Sequence, residues 1–509
     1  MKTMLLIYPP LTKACEPPLG IARLAACLRS HGVGCETWDA NLEGQLALLE
    51  NPLASKASLT LGRQSWGRLA NHLAYLSNPL GYDNFDRYQT AVYGIAKLLQ
   101  MSVAPLRCTI TLADFNHSEL QPVRSTDLHR IADEPEHLPF HRFFLQQLQA
   151  RFERHRPDYI GLSVNYLSQA LCAFALIGLI RKLDDRIPVI LGGGLITSWM
   201  ARPGWRNPFS GLVDELVAGP GEAALLKWLQ LSGDIKEFSR PDYHTLALSH
   251  YFSPGFILPF STAFGCYWNK CKFCPEKSEG HRFQPVTNER ISQDLEALGK
   301  ELKPRLIHFT DNALSPRLLR HLILHPPPAP WYGFTRITPL LAERDFCLAL
   351  KKSGCVMLKL GIESGDDKVL EGMNKGHTVE LAGKVLQQLY QAGIAVYVYL
   401  LFGTPWEDEA AARATLEFVL RHQGEITFIN PAIFNQPIEA DLEVQPFYHG
   451  DLSLYTSYQH PSDWSRSQVR RFLDRTFKRD RAVAAILRRT PPFFTSNHAP
   501  FFVEHWSEA

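Results

Sequence analysis

The sequence lacks an excess of charge of either sign. Lysine and arginine together number 53 and aspartate and glutamate number 51, so the formal net charge is +2 over 509 residues. A protein that binds nucleic acid or an anionic membrane through its overall field carries a much larger positive charge. We therefore expect no nucleic-acid partner, and other partners have to be inferred from particular sites.

Long apolar runs are missing as well. No stretch approaches the roughly 20 apolar residues of a membrane-spanning helix, and the apolar run in Met1–Pro10 is too short for a secretion signal. We expect a cytoplasmic protein with no membrane span. In such a protein the ten cysteines do not form a disulfide scaffold, and clustered cysteines indicate a metal site.

The first half of the chain alternates short apolar strand patterns with helical patterns. This alternation predicts a doubly wound, Rossmann-like parallel sheet in an α/β domain over residues 1–240. The predicted strands lie at 3–8, 35–39, 159–164, 189–192 and 213–217. Residues from about 50 to 150 interrupt the alternation and predict a helical insertion.

A second set of strand and helix patterns predicts a partial (β/α)6 barrel over residues 241–431. Its six strands are expected near 257–263, 305–310, 331–336, 356–362, 395–402 and 425–430. Residues 432–509 predict a small, mostly helical C-terminal module with a basic helix near 463–489. The basic face is either solvated or helps cover the barrel mouth and receives an acidic or peptide substrate, and residues 497–502 could likewise close the site.

One cluster of cysteines follows the first barrel strand. Cys266, Cys271 and Cys274 lie within nine residues. Three thiolates can hold three irons of a four-iron cluster and leave the fourth iron open to the amine and carboxylate of an amino acid. A closed zinc site needs a fourth ligand, which Cys347, Cys355 or a histidine could supply.

This segment resembles the cysteine loop of the radical S-adenosylmethionine (SAM) superfamily, in which the aromatic residue before the last cysteine lies beside the adenine of SAM. Phe273 has that place. The usual spacing is three residues and then two, whereas four residues separate Cys266 from Cys271 here, so we expect an extra bulge in the loop. The resemblance implies a 4Fe-4S cluster on the three cysteines and a SAM site next to it.

Later segments agree with this resemblance. Residues 361–376 are similar to the fourth-strand segment of the family, in which a Glu-Ser pair lies near the ribose and methionine parts of SAM, here Glu363 and Ser364. The further residues that the resemblance implies for SAM binding are Asp311 at the end of the second strand, Arg336, and Gly403 and Thr404 in the turn after the fifth strand. For Asp311 and Thr404 a role as a strand cap or turn residue stays open. Arg336 and Lys359 could pair with the methionine carboxylate or be structural.

A doubly wound domain with glycines at its strand ends could hold a nucleotide, a flavin or a corrinoid. The segments 17–25, 161–164, 191–194 and 214–222 together resemble, in this order, the cobalamin-binding domain of cobalamin-dependent radical SAM enzymes. The resemblance implies cobalamin contacts at Ser163, Gly192, Gly193, Gly194, Gly219 and Gly221. Some proteins of this class keep the sheet without the corrinoid.

The segment after the first strand has no Asp-x-His-x-x-Gly motif, which supplies a histidine below cobalt in many cobalamin proteins. It reads Tyr8–Glu16 and contains no histidine. We therefore expect base-off cobalamin without a histidine ligand. Cys15 lies in this loop and either faces the corrin or is simply a buried cysteine.

The resemblance implies an enzyme, a cobalamin-dependent C-methyltransferase. Its cluster reductively cleaves SAM, and methylcobalamin donates a methyl group to an unactivated carbon of a peptide or small-molecule natural product. It also implies an electron donor such as flavodoxin or ferredoxin. Two alternatives stay open, namely radical cyclisation or rearrangement without methyl transfer, and a non-catalytic corrinoid or iron–sulfur binding protein.

Overall fold

The computed structural model divides the chain into two compact units. Unit 1 comprises Met1–Phe256 and His449–Leu454, and unit 2 comprises Ile257–Tyr448 and Tyr455–Ala509. The residues that the structure describes are 2–53, 66–78, 82, 84–104, 106–231, 239–438, 450–456, 458, 460–493 and 499–503.

Unit 1 is built on a parallel sheet. Its strands are β1 Thr3–Tyr8, β2 Gly34–Asp39, β3 Cys108–Ile110, β4 Phe115–His117, β5 Tyr159–Ser163, β6 Val189–Gly192 and β7 Glu215–Leu216. The sheet has the order β2-β1-β5-β6-β7 with parallel neighbours, while β3 and β4 form a separate antiparallel pair. The predicted doubly wound sheet is confirmed. Its strand order reverses between β1 and β5, the point at which ligands bind in such sheets.

The helices of unit 1 include the predicted insertion. They are α1 Leu19–Ser30, α2 Ala40–Glu50, α3 Leu69–Leu76, α4 Phe85–Ser102, α5 Ser125–Asp133, α6 His141–His155, α7 Leu167–Leu183, α8 Gly194–Met200 and α9 Gly221–Trp228. In the described part of residues 50–150, α5 packs closely on α7, since a Cβ at Gly178 would lie 1.9 Å from the carbonyl oxygen of Ala132. The insertion is therefore part of the core of unit 1.

Unit 2 contains six parallel strands that are adjacent in chain order. Its strands are β8 Ile257–Phe260, β9 Ala263–Phe264, β10 Gln284–Pro285, β11 Leu306–Leu314, β12 Trp331–Thr335, β13 Cys355–Glu363, β14 Ala395–Phe402, β15 Phe428–Ile433, β16 Gln436–Pro437 and β17 Tyr455–Thr456. The sheet order is β8-β11-β12-β13-β14-β15. The predicted (β/α)6 arrangement is confirmed, and the carboxyl ends of these parallel strands share one edge.

Helices connect these strands. They are α10 Pro275–Ser278, α11 Asn288–Leu302, α12 Pro316–Leu324, α13 Arg344–Lys352, α14 Asp367–Gly372, α15 Val379–Gln391, α16 Glu409–Arg421, α17 Arg466–Phe472 and α18 Arg481–Arg488, with a π-helix at Leu473–Phe477. Seven of them begin at a side chain that accepts a hydrogen bond from the first turn, which satisfies a backbone donor that the helix leaves unpaired. These capping residues are Thr287, Ser315, Asp366, Thr378, Asp408, Ser465 and Asp480.

The C-terminal segment packs at the opposite end of the barrel from the cysteine loop. Ala499 and Phe502 belong to one apolar cluster with Ile257 and Leu306, which are the first residues of β8 and β11, and with Phe428, the first residue of β15. This corrects the expectation that residues 497–502 close the site. Residues 497 and 498 lie outside the described residues.

The boundary between the units differs from the predicted one at residue 240. Residues 243–252 belong to unit 1, because the Tyr251 hydroxyl donates to Asp39 at 2.6 Å and the Phe252 amide donates to the Ala14 carbonyl at 2.8 Å. The residues predicted to form a third module are grouped mostly with unit 2, and that they form a separate module stays a prediction.

The basic C-terminal helices bind the barrel at both of their ends. The Arg466 guanidinium donates to the Phe434 carbonyl at 2.8 Å, and Arg489 donates to the Thr427 carbonyl at 2.8 Å. Both carbonyls flank β15.

Among the described residues, no helix combines the length and the apolar character that crossing a membrane requires.

Candidate SAM and cluster site

The cysteine loop is closed at its base by a short antiparallel pair, β9 and β10. Gly265 follows β9 with φ of +73°, and a Cβ there would lie 2.6 Å from the Arg282 carbonyl oxygen. Glycine is needed for both reasons. The expected extra bulge lies at Asn269, which has φ of +45° and donates through Nδ2 to the His281 carbonyl at 3.1 Å.

Asp311 fixes the start of this loop. Its carboxylate accepts the Thr262 amide at 3.0 Å and the Thr262 hydroxyl at 2.7 Å. Burial raises the pKa of the Asp311 carboxyl to about 6, although the hydrogen bonds from Thr262 oppose the shift. These bonds fit the alternative role of Asp311 as a cap, because they fix the backbone of Thr262 just before β9.

The three thiols lie at the carboxyl edge of the barrel. Cys271 is buried, and Cys266 and Cys274 are half-buried. Burial raises the pKa of the Cys274 thiol to about 11. In the described part of the chain, no three histidine, cysteine, aspartate or glutamate side chains converge to hold a metal ion.

Three consecutive carbonyl groups, at residues 373–375, hold the cysteine loop. The Lys272 amide donates to the first at 3.0 Å, and the Trp268 indole donates to the second at 3.2 Å. The Arg336 guanidinium donates to the third and also contacts Cys271 Sγ at 3.4 Å. The segment after β13 is therefore the surface on which the loop is seated.

A buried ion pair lies at the end of β13. Lys375 Nζ is 2.7 Å from Glu363 Oε1, and the two side chains are 6% and 11% exposed. Gly361 leaves room for the pair, since a Cβ there would lie 2.4 Å from Glu363 Oε1 and 2.8 Å from Lys375 Nζ. Glu363 has φ of +68°, a strained conformation that is typical of functional sites.

The electrostatics of this corner favour an amino acid. The buried Lys375 ammonium pairs with the Glu363 carboxylate, and the buried Arg336 guanidinium donates to the Lys375 carbonyl. A zwitterion adds one ammonium group, for which Glu363 is an acceptor, and one carboxylate, for which the two cations are donors. Burial together with the charges of Lys375 and Arg336 lowers the pKa of the neighbouring His377 to about 3, so this imidazole is neutral.

Phe273 packs between the cysteine loop and α14. Phe273 and Trp406 both pack against a cluster of Val369, Met373 and Ala411, and the Phe273 ring centroid lies 5.4 Å from Lys375 Nζ. Trp406 belongs to the turn after β14, and a Cβ at Gly372 would lie 2.4 Å from its indole. The aromatic contacts thus connect Phe273, the ion pair and the turn after β14.

The turn after β14 is held by Glu407 and by aromatic residues of the C-terminal segment. Gly403 has φ of +77°, its amide donates to Glu407, and its carbonyl accepts from the Tyr458 hydroxyl. Glu407 Oε2 also accepts from the Trp464 indole at 2.9 Å. Thr404 is fully buried, and its hydroxyl has no hydrogen-bond partner among the described residues.

Two candidate residues make their polar contacts away from the Glu363–Lys375 ion pair. Ser364 is fully buried, its hydroxyl lies 3.3 Å from that of Thr415, and it accepts the Asp366 amide at 3.2 Å. Lys359 lies deeper in the barrel, where Nζ is 3.1 Å from His308 Nε2. These contacts favour a structural role for Ser364 and for Lys359.

The glycines of unit 1 differ in what surrounds them. Gly193 has φ of +106°, and a Cβ there would lie 2.5 Å from the Val164 carbonyl oxygen, so its own fold already requires glycine. Gly194 is exposed, its amide donates to Asn165 Oδ1 at 2.9 Å, and a Cβ would meet no atom closer than 3.6 Å. Gly192 is also loosely packed, with Val217 at 3.4 Å from a Cβ.

The remaining candidate cobalamin contacts are held by neighbours in unit 1. Gly219 has φ of +73° and donates to Thr197 Oγ1 at 2.9 Å. A Cβ at Gly221 would lie 3.1 Å from the Leu24 side chain. Ser163 is buried and accepts from Asn165 at 3.3 Å. Cys15 is buried, as the simpler of its two interpretations expects.

Sequence reasoning missed several residues of the site. Lys375, Trp268 and Glu407 have no motif of their own, and their positions depend on contacts between segments far apart in the chain. Gly376 follows Lys375 with φ of +79°. A glycine next to a lysine in residues 361–376 was the one local sign that this position belongs to the site.

We predict that Gly376→Ala loosens the cysteine loop. A Cβ at this position would lie 2.2 Å from the Trp268 ring, so iron content after reconstitution should fall well below that of the wild type. Gly393→Ala is the matched control, because Gly393 also has positive φ, +70°, but its nearest atom lies 3.9 Å away. The positive φ alone should cost each variant about 1–2 kcal/mol of stability, and Gly376→Ala should lose more because of its contact with Trp268. Equal iron content in the two variants would contradict the packing role.

Glu407 predicts a pH dependence of stability. Burial raises the pKa of its carboxyl to about 7, above the roughly 4.3 of an unfolded glutamate. The native state therefore binds the proton more strongly, and the stabilisation present at low pH is lost as pH rises through 7. Between about pH 5 and pH 8, the unfolding temperature of the wild type should fall more than that of Glu407→Gln. Parallel pH profiles would refute this assignment.

Comparison with known proteins agrees with this site. The model of the Radical SAM superfamily matches residues 260–419, from the end of β8 into α16. An uncharacterised methyltransferase of Pyrococcus horikoshii is 23% identical over 301 residues, which are 52% of this chain and 64% of that protein. The match thus spans slightly less than two thirds of the relative.

Two solved structures resemble the chain over most of its length. The radical SAM methyltransferase TsrM from Kitasatospora setae, with cobalamin and a 4Fe-4S cluster bound, has a TM-score of 0.53 at 16% identity over 86% of this chain and 77% of that one. The cobalamin-dependent radical SAM enzyme OxsB with aqua-cobalamin has a TM-score of 0.52 at 14% identity over 85% of this chain and 53% of that one. At these identities the likeness concerns the fold. Residues 260–419 thus match the model of the Radical SAM superfamily, and the chain has the fold of these two solved structures.

Proposed function

We propose that the protein is a radical SAM enzyme that uses a 4Fe-4S cluster and cobalamin to methylate an unactivated carbon of a peptide or natural product in the cytoplasm. The observation that carries the proposal is the position of Arg336, which contacts Cys271 Sγ and the carbonyl of Lys375, the ion-pair partner of Glu363. The thiols proposed to bind iron therefore lie next to the charged groups proposed to bind an amino acid.

Cys266, Cys271 and Cys274 are the proposed cluster ligands. Their loop is held at its base by β9 and β10 and at its centre by the carbonyls of residues 373–375. Three ligands held in this way leave one coordination position open. The donor set fits a cluster with an open iron better than closed zinc, which needs a fourth protein ligand.

Glu363, Arg336 and Lys375 are the proposed binding residues for the methionine part of SAM. The Glu363 carboxylate would accept from its amine, and one of the two cations would pair with its carboxylate. Because all three side chains are buried, they bind an ion pair more strongly than exposed residues do. Phe273 and the turn at Gly403 and Thr404 would bound the adenosine part, since Phe273 and Trp406 of that turn pack against the same apolar cluster.

Gly192 and Gly194 are the proposed cobalamin contacts, with Ser163 nearby. They lie at the carboxyl ends of β5 and β6, beside the point where the strand order reverses. Loosely surrounded backbone at such a position fits the close approach of a large cofactor tail. When bound, the cluster supplies the electron for SAM cleavage and cobalamin supplies the methyl group.

The interior of the barrel favours an aromatic or otherwise flat substrate. Tyr332 stacks on His308 at 4.5 Å between ring centroids, and Phe334 lies 5.0 Å from Tyr399. Phe334 and Tyr399 are half-buried, which leaves aromatic surface for a substrate.

The cluster and SAM assignments are tested by two substitutions. Cys271→Ala should lose cluster iron and all 5′-deoxyadenosine production. Glu363→Gln should keep its iron and bind SAM about 10- to 100-fold more weakly, because a hydrogen bond to a charged group contributes about 1.5–3 kcal/mol. Glu380→Gln, at an exposed glutamate, is the control and should bind normally.

Retention of iron by Cys271→Ala would remove that cysteine from the ligand set. Full SAM affinity in Glu363→Gln would move the amino-acid site elsewhere. Product mass then distinguishes the reactions, since methyl transfer adds one methyl group and cyclisation or rearrangement does not.

The cobalamin assignment predicts that Gly194→Val loses corrinoid without losing iron. The valine side chain would stand in open space above the sheet and obstruct the cofactor, whereas the fold itself leaves room for it. Gly424→Val is the control, because Gly424 is exposed and a Cβ there meets no atom within 4 Å. Unchanged corrinoid binding by Gly194→Val would exclude this contact.

Base-off binding is tested in the same preparation. The cob(II)alamin paramagnetic resonance spectrum should lack nitrogen splitting from an axial base, because residues 8–16 contain no histidine. A nitrogen-split spectrum would contradict base-off binding.

A further inference from the structure

The exposed side of the cysteine loop carries positive charge next to a proposed cluster ligand. Lys270 and Lys272 flank Cys271 and are both exposed. Lys270 Nζ lies 4.8 Å from the ring centroid of Trp268, and Lys272 Nζ lies 5.9 Å from that of Trp406. Both indole rings are half-buried, so the surface combines ammonium groups with aromatic faces.

The acidic residues of the same loop are engaged with a histidine. Glu276 lies 3.0 Å from His281 and Glu279 lies 3.5 Å from it, and their side chains are 28% and 18% exposed. Arg282, at the end of the loop, is exposed. The charge that this loop presents to solvent is therefore mainly positive.

A short chain of contacts connects this surface to the thiol. The Trp268 ring lies between Lys270 on the surface and the Arg336 guanidinium, which is 4.4 Å from the ring centroid. Arg336 in turn contacts Cys271 Sγ at 3.4 Å. A redox partner seated on Lys270 and Trp268 would thus be separated from the proposed cluster by few side chains.

We propose that Lys270, Lys272, Trp268 and Trp406, the loop face, form the docking surface for a small acidic one-electron carrier protein. The inference rests on the proposed function, which requires an electron from outside the chain. The carrier, a reduced flavin or iron–sulfur protein with acidic residues around its redox group, is oxidised by one electron and the cluster is reduced by one. No covalent bond forms or breaks, and no proton needs to move.

Charge complementarity selects the acidic carrier. Two ammonium groups at the centre of a docking surface attract carboxylates and speed association. The C-terminal basic helices carry more positive charge, but Arg466 and Arg489 bind backbone carbonyls that flank β15 and Lys478 pairs with Asp474. The loop face is favoured because its two lysines flank Cys271, a proposed cluster ligand.

The test compares the charge-reversed variant Lys270→Glu/Lys272→Glu with Lys300→Glu/Lys384→Glu, which reverses two exposed lysines on α11 and α15. Binding of oxidised flavodoxin to the reconstituted protein is measured at low and high salt, and cluster reduction is followed by stopped-flow absorbance. We expect the loop variant to bind flavodoxin at least about tenfold more weakly at low salt and to be reduced correspondingly more slowly. The control should match the wild type.

Dithionite at high salt is the second reductant, because a small anion needs no docking surface and salt screens its attraction to the lysines. Under these conditions the loop variant should be reduced by dithionite as fast as the wild type. If charge reversal lowers iron content, Lys270→Gln/Lys272→Gln takes its place, and the same difference between carrier and dithionite is expected. Wild-type reduction of the variant by flavodoxin would overturn the proposal.

An acidic peptide is the competing occupant. If the loop variant loses affinity for a glutamate-rich peptide but keeps its affinity for flavodoxin, the loop face binds substrate and the proposal is wrong. Failure of the wild-type protein to hold iron or to be reduced by dithionite would instead refute the proposed function.

Discussion

The site depends on one backbone segment, residues 373–376, that holds the cysteine loop. Three successive carbonyls accept hydrogen bonds from Lys272, Trp268 and Arg336, and the next residue must be glycine because the Trp268 ring lies against it. A loop that has to place three thiols for one cluster needs such support, because a loop seated only at its ends would be mobile. Hydrogen bonds to consecutive carbonyls fix both the position and the orientation of the cysteine loop.

The same segment supplies the ion pair. Lys375 presents its carbonyl to Arg336 and its ammonium to Glu363, so cysteine loop and amino-acid site cannot move independently. Gly361 admits the pair, and the positive φ of Glu363 turns its carboxylate toward Lys375. Ala499 and Phe502 pack against apolar residues at the other end of the strands.

The sequence predicted the architecture well because its information is local. The strand expected at 395–402 is Ala395–Phe402, and apolar periodicity located the other barrel strands within a few residues. Side-chain partners are not local. Ser364 was assigned to the cofactor by its motif, yet its hydroxyl meets Thr415 on α16, and nothing between the two positions signals that contact. The contacts that Lys375 makes with Glu363 and Arg336 likewise have no signal in the sequence.

The glycines illustrate the same limit. A glycine at a strand end indicates close approach but does not say of what. At Gly193 the approaching group is the backbone of Val164, whereas at Gly194 the space is open. Only the fold separates a glycine required by packing from one that leaves room for a ligand.

The central claim is that three thiolates and the Glu363, Arg336 and Lys375 group act on one cluster. Mössbauer spectroscopy of the anaerobic protein reconstituted with iron-57 tests it most directly, with and without SAM. The account predicts a 4Fe-4S spectrum in which one iron changes its isomer shift when SAM is added, because that iron has no protein thiolate and takes up the amino acid. A spectrum that SAM leaves unchanged, or iron bound without a cluster, would contradict it.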